Sequence, residues 1–187
     1  MPSRASSAAS ANIEAPIAVV DQITTITNED NERVQKLYAY QNGERLSFVT
    51  ATDGLLVNGD DEPKALKRGD IIQLKLNTRN EISGIRVLFE AEDKATEFTT
   101  TIDEDMTIVY GKVTKKFASS INVQVADGAV ANYSLEGATV YEVDTAKTNN
   151  AIKVVDANEI TQYDESDPSR VFIRIYEDAV TEIVIIR

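Results

Sequence analysis

The side chains with chemistry to offer in this 187-residue sequence are carboxylates, lysines, tyrosines and hydroxyls. Two acidic runs, Asp103-Glu104-Asp105 and Asp164-Glu165 with Asp167, hold the groups a glycosidase uses. That chemistry needs two carboxyls about 5 to 9.5 Å apart, one of them in an apolar, pKa-raising site. Both runs lie in polar loops where every carboxyl stays solvated and ionised, so they read as turns. Two clusters of oxygen donors suit a hard cation such as calcium: Asn28-Glu29-Asp30-Asn31, and Asn58 with Asp60, Asp61 and Glu62. Neither has the EF-hand spacing with its central glycine, and surface solubility is the plainer purpose. The basic groups Lys64-Lys67-Arg68 and Lys112, Lys115, Lys116 stand out against an acidic background. They suit a polymer or subunit contact, or the charge interleaving that keeps edge strands from pairing. Tyr38 and Tyr40 share one strand face by period two, the geometry of a sugar-stacking platform. Tyr110, Tyr133, Tyr141, Tyr163 and Tyr176 fit equally well as half-buried strand residues.

What is missing narrows the chemistry further. With no His and no Cys there is no Ser-His or Cys-His nucleophile pair, no thiolate or imidazole zinc site and no disulfide. The 8 glycines form neither a dinucleotide fingerprint nor a phosphate-binding loop. A net charge of −12 opposes binding to a nucleic-acid backbone, which needs clustered Lys and Arg. The expectation is therefore a non-enzyme with no catalytic, cofactor or metal site, calcium in a loop being the one exception its donor types allow.

The elements that position these residues are strands. Val, Ile and Thr number 18, 18 and 17, or 53 of 187, a β-branched load that belongs in pleated sheets. No sustained i, i+3, i+4 stripe occurs, and no window approaches the apolar length of a membrane span, so an all-β chain without membrane insertion is predicted. Residues 1–16 are Ala/Ser-rich and lack a secretory h-region, reading as a flexible arm or linker. From Ile17 alternation begins, with turns at Asn28–Asn31, Asn42-Gly43, Gly69-Asp70 and Asn77–Asn80, and a short strand at Leu55–Val57. Asn-Gly between alternating residues marks a type I′ hairpin, since both central positions need positive φ. Six strands over residues 17–90, with no room for a helix, predict a small barrel.

Residues 106–187 repeat the plan. Ile108–Val113 matches Val19–Ile23, Asp127-Gly128 marks a second hairpin, Gly137–Tyr141 mirrors Gly54–Val57, and the closing hairpin VFIRIYEDAVTEIVIIR matches IIQLKLNTRNEISGIRVLFE. The reading is two tandem small β-barrel or sandwich-like domains from a duplication. An acidic linker with an extra strand, 91–105, separates them.

The stretches EPKALKRGDIIQLKLN, MTIVYGKVTKKFASSINV, YSLEGATVYEVDT and SRVFIRIYEDAVTEIVIIR also resemble the C-terminal β-rich region of clostridial surface proteins that carry S-layer homology domains. The resemblance implies a non-catalytic, exported cell-envelope module tethered by other parts of a longer polypeptide. No anchoring repeat and no site motif carries over. The expected function is thus a structural element of a surface assembly that contacts other protein subunits, with copies of itself among them. A phage virion component, whether capsid decoration or tail, is the alternative, favoured by a chain that opens on its own Met and a small-residue arm. A carbohydrate-binding module resting on the Tyr strand is the second.

Overall fold

The computed structural model describes residues 17–58 and 63–187. The Ala/Ser-rich arm of residues 1–16, and Asp60, Asp61 and Glu62 of one oxygen cluster, lie outside the described residues. The described chain is all-β, with 3₁₀ turns at Ala91–Asp93 and Ala157–Glu159. No helix among the described residues is long and apolar enough to cross a membrane. The chain divides into two units, meeting at Ala91 and Glu92.

The first unit holds β1 (Ala18–Thr27), β2 (Arg33–Gln41), β3 (Glu44–Val49), β4 (Ile71–Leu76) and β5 (Ile82–Phe89) in the order β3-β2-β1-β4-β5. A parallel bridge between Thr50 and Ile82, with the Ala51 amide donating to the Ile82 carbonyl at 2.9 Å, draws the ends of β3 and β5 together. After the β1-β2-β3 meander the chain crosses back so that β4 pairs with β1, and the sheet curls until the ends of β3 and β5 meet in that parallel contact. The interior is filled by alternate residues, Val20, Leu37, Ala39, Ile72, Leu74 and Ile82 among them. The expected strand at Leu55–Val57 is not one. It makes a single antiparallel bridge, Val57 to Ala65, while Leu56 is fully buried as a plug beside Leu66. Five strands already close this barrel, so the segment serves the core through its side chains rather than through a ladder.

The hairpins follow local chemistry. Asn42 and Gly43, at φ 51° and 87°, make the expected type I′ turn. The β1–β2 and β4–β5 turns share the pattern Asn-x-x-Asn-Glu, at 28–32 and 77–81. In each, the first Asn carboxamide oxygen accepts the amides two and four residues on, and the second Asn takes positive φ, 65° and 60°. Asparagine tolerates that left-handed position and closes the loop through its own side chain.

The second unit holds β6 (Phe98–Thr101), β7 (Met106–Lys116), β8 (Ser120–Gln124), β9 (Val130–Ser134), β10 (Thr139–Val143), β11 (Ile152–Val155), β12 (Arg170–Tyr176) and β13 (Ala179–Ile186). Their order is β11-β10-β13-β12-β7-β8-β9, with β6 on β7. Within it, β9-β8-β7-β12-β13 repeats β3-β2-β1-β4-β5. Both first strands change partners, at Val19 and at Gly111/Lys112, and both carry a bulge just beyond, at Val20/Gln22 and Val113/Lys115. Gly111 is the last residue of β7 paired to β12, facing Val171, and β8 begins to pair from Lys112. A Cβ there would overlap the Gln124 carbonyl oxygen and lie 2.9 Å from Val123 Cγ1, so only glycine lets β8 approach. The core again uses alternate residues, including Val109, Val113, Ile121, Val171, Ile173 and Ile183. The acidic segment 91–105 carries β6, which pairs with β7 in the second unit.

The two units differ at the edge beyond their last hairpin. In the second, the connection after β9 carries β10, which runs parallel to β13 from Glu182 to Ile186 and occupies the edge that a third strand would take. The Asp127-Gly128 hairpin forms, but as a longer loop. Only Gly128 takes positive φ, 85°, while the Val125 amide donates to the Ala129 carbonyl at 3.0 Å.

Candidate functional site

Because β10 claims only the Glu182–Ile186 end of β13, Ala179, Val180 and Thr181 have no ladder partner among the described residues on the side away from β12. Facing them is β9, the terminal strand of the sheet, which among the described residues pairs with β8 alone. Between the two edges runs a groove of about 450 Å³, lined by Asn132, Tyr133, Ser134, Glu136, Ile175, Asp178, Ala179 and Val180. Tyr133, Ile175 and Val180 pack against the hydrophobic core of the second unit and form an apolar floor. Glu136 and Asp178 put carboxylates on the rim. Burial raises the Tyr133 hydroxyl above its ordinary pKa, so it remains a neutral donor.

The lip formed by the β12–β13 turn is strained. Glu177 and Asp178 both sit at positive φ, 48° and 65°, where a two-residue hairpin ordinarily has Asn-Gly. Each non-glycine residue in that region costs about 1 kcal/mol. The turn is fastened by the Glu177 amide donating to the Asp105 carbonyl at 2.8 Å. β9 itself, Val-Ala-Asn-Tyr-Ser, has no charge and no proline, and Val130 is 51% exposed.

The sequence-selected groups take other roles. Asp103 and Asp164 close turns by accepting amides two residues on, those of Asp105 and Ser166 at 2.9 and 2.8 Å. Ser166 donates from both its hydroxyl and its amide, holding the Asp164 carboxyl below its usual range. Asp167 is lowered chiefly by the Ser169 hydroxyl. In the 28–31 cluster the Asn28 oxygen is engaged by the turn, and no three carboxylates converge as a cation site among the described residues.

Three of these basic side chains, Lys116, Arg68 and Lys112, lock structure. Lys116 Nζ donates to the carbonyls of Ala157, Asn158 and Ile160 at 3.0, 3.0 and 2.8 Å, using all three of its donors on one 3₁₀ turn. Arg68 and Arg45 both hold Asp21 at the β1 bulge, at 3.1 and 2.8 Å. Lys112 and Arg170 each reach Glu97 at 3.6 Å and lie over the Tyr163 ring at 4.5 and 5.2 Å. Tyr38 and Tyr40 stand on the same half-buried, outward face of β2. Arg45 and Lys36 lie over the Tyr38 ring at 4.6 and 5.4 Å, so a sugar would compete with them for it.

Two charged constellations had no signal in the sequence, because each includes a partner far away in the chain, Met106 for Arg174 and Glu142 for Arg187. Arg174 and Glu182 are both buried and stand opposite one another in the β12–β13 register. Arg174 donates to Thr181 Oγ1 at 2.9 Å and to Met106 Sδ at 3.2 Å. Arg187 donates to Glu142 at 2.8 Å, to the hydroxyls of Thr161 and Ser169, and to the Glu159 carbonyl. Burial pulls the Glu142 carboxyl upward in pKa, but Arg187 and Lys153 outweigh it and hold the group below its ordinary value.

No protein-family model, curated protein or solved structure matches this chain.

Proposed function

We propose that the chain is a non-enzymatic structural module of a bacterial surface assembly, acting at the cell envelope through contacts with other protein subunits, copies of itself included. The observation that carries this reading is the open end of the second unit. An exposed, uncharged edge strand, β9, faces the free edge of β13 across a groove, in a chain whose acidic runs are engaged in turns. Exposed strand edges are templates for pairing with another chain, and proteins that stay apart usually blunt them with charge or proline. The resemblance to clostridial surface proteins supports the envelope setting, and a virion shell would make the same demand on the same edge.

The test is light scattering with negative-stain imaging of the purified chain, with and without millimolar calcium. Ordered sheets, rings or fibres are expected. A monodisperse 20.6 kDa particle under both conditions would overturn self-assembly.

A further inference from the structure

We propose that the groove between β9 and β13 is the socket for a single side chain, Arg79 of a second copy, so that copies of this chain join head to tail. The contact rests on the assembly reading above and specifies how that assembly is made.

β9 and β13 approach within 8 Å of each other, Cα to Cα. A strand paired to both would need about 9.5 Å, so the occupant is a side chain and not a backbone. The lining defines which kind. A floor of Tyr133, Ile175 and Val180 suits a hydrocarbon stem, and the Tyr133 ring suits a cation above it. On the rim, Glu136 and Asp178 make no ion pair or side-chain hydrogen bond among the described residues. A planar guanidinium engages two carboxylates at once, where an ammonium offers only a point charge. Asp178 also occupies a positive-φ position that Gly or Asn would fill with less strain, so turn chemistry does not account for an acid there.

Arg79 is the matching knob. It stands exposed at the tip of the β4–β5 hairpin and makes no ion pair among the described residues. The turn beneath it is firmly held. Asn77 Oδ1 accepts the amides of Arg79 and Glu81, both at 2.9 Å, while Asn77 Nδ2 donates to Glu81 Oε1 at 2.9 Å. The β1–β2 turn builds the same loop with Glu29 and Asp30 at the two middle positions, so the turn does not itself require an arginine. Knob and socket are different surfaces, one on each unit. The contact is therefore heterologous and propagates into rings or fibres instead of stopping at a two-fold pair.

The test is sedimentation velocity on the full chain. Arg79→Glu, and separately Glu136→Lys with Asp178→Asn, are each expected to weaken self-association about tenfold or more. All three side chains are exposed, so the melting temperature should stay level. An equimolar mixture of the two variant chains is expected to restore the oligomers, because the reversed tip meets the reversed groove and the native tip the native groove. Lys75→Glu makes the same charge change on the exposed body of β4 and is expected to leave association unchanged. Oligomers that survive both charge variants would overturn the Arg79 contact while leaving the assembly reading intact. A mixture that stays monomeric, or an equal loss in Lys75→Glu, would overturn the pairing of these two sites. A chain monomeric at every concentration would overturn both readings.

Discussion

At the scale of single residues, charge in this protein serves position. Arg187 is the clearest case, since one guanidinium ties Glu142 on β10 to Thr161, Ser169 and the Glu159 carbonyl. Glu142→Gln removes the nearer of the two carboxylates on a partly buried guanidinium, leaving Asp167 at 3.9 Å, and is expected to cost about 1 to 3 kcal/mol at pH 7, measured by urea unfolding. The pH dependence follows from the same contact. Glu142, Asp164 and Asp167 all have folded pKa values below the ordinary carboxylate range. Their contribution is complete above that range and is lost as pH falls through the folded values, so stability declines on acidification. Glu142→Gln should flatten that acid limb, and thermal melts between pH 3 and pH 6 would read the change. Gly111 makes a steric counterpart. Gly111→Ala pushes a Cβ into the Gln124 carbonyl and is expected to cost about 3 kcal/mol, with loss of protection at β8 amides in hydrogen exchange.

At the scale of elements, turns decide how strands meet. Replacing Asn42-Gly43 by Val-Val forces β-branched residues to φ 51° and 87°, and the melting temperature of the first unit should fall sharply. The opposite change belongs at the β12–β13 turn. Glu177→Asn with Asp178→Gly relieves two strained positions and should stabilise the second unit by about 1 to 2 kcal/mol in the same assay. The contrast also shows what was legible in the sequence. Period-two alternation and Asn42-Gly43 announce the β2–β3 hairpin because both signals are local. The repeated Asn-x-x-Asn-Glu turns were equally local, but a cluster of oxygen donors reads as a cation site until the carboxamide is seen accepting amides. Leu55–Val57 shows why an apolar triplet misleads, since Leu56 needs burial and burial does not require a ladder. The β9–β13 groove was not legible at all. It depends on β10 pairing in parallel with a strand more than forty residues downstream, and alternation within a strand carries no information about its neighbours.

At the scale of the whole molecule, composition and topology govern behaviour in solution. With no His, no side chain of ordinary pKa changes charge between about pH 6 and 8, so the melting temperature should stay level across that window. A fold built on non-local pairings pays loop-closure entropy before it gains contacts, so refolding is expected in milliseconds to seconds, followed by far-UV circular dichroism after a urea jump. The parallel seam between β10 and β13 also bears on mechanics. β13 is held along one edge by β12 and along the other by β10. A pull applied at Arg187 along the axis of β13 therefore loads both rows of hydrogen bonds sideways and together, instead of peeling them open one at a time. Under such a load that seam would act as a tensile clasp, yielding only when the row fails as a whole.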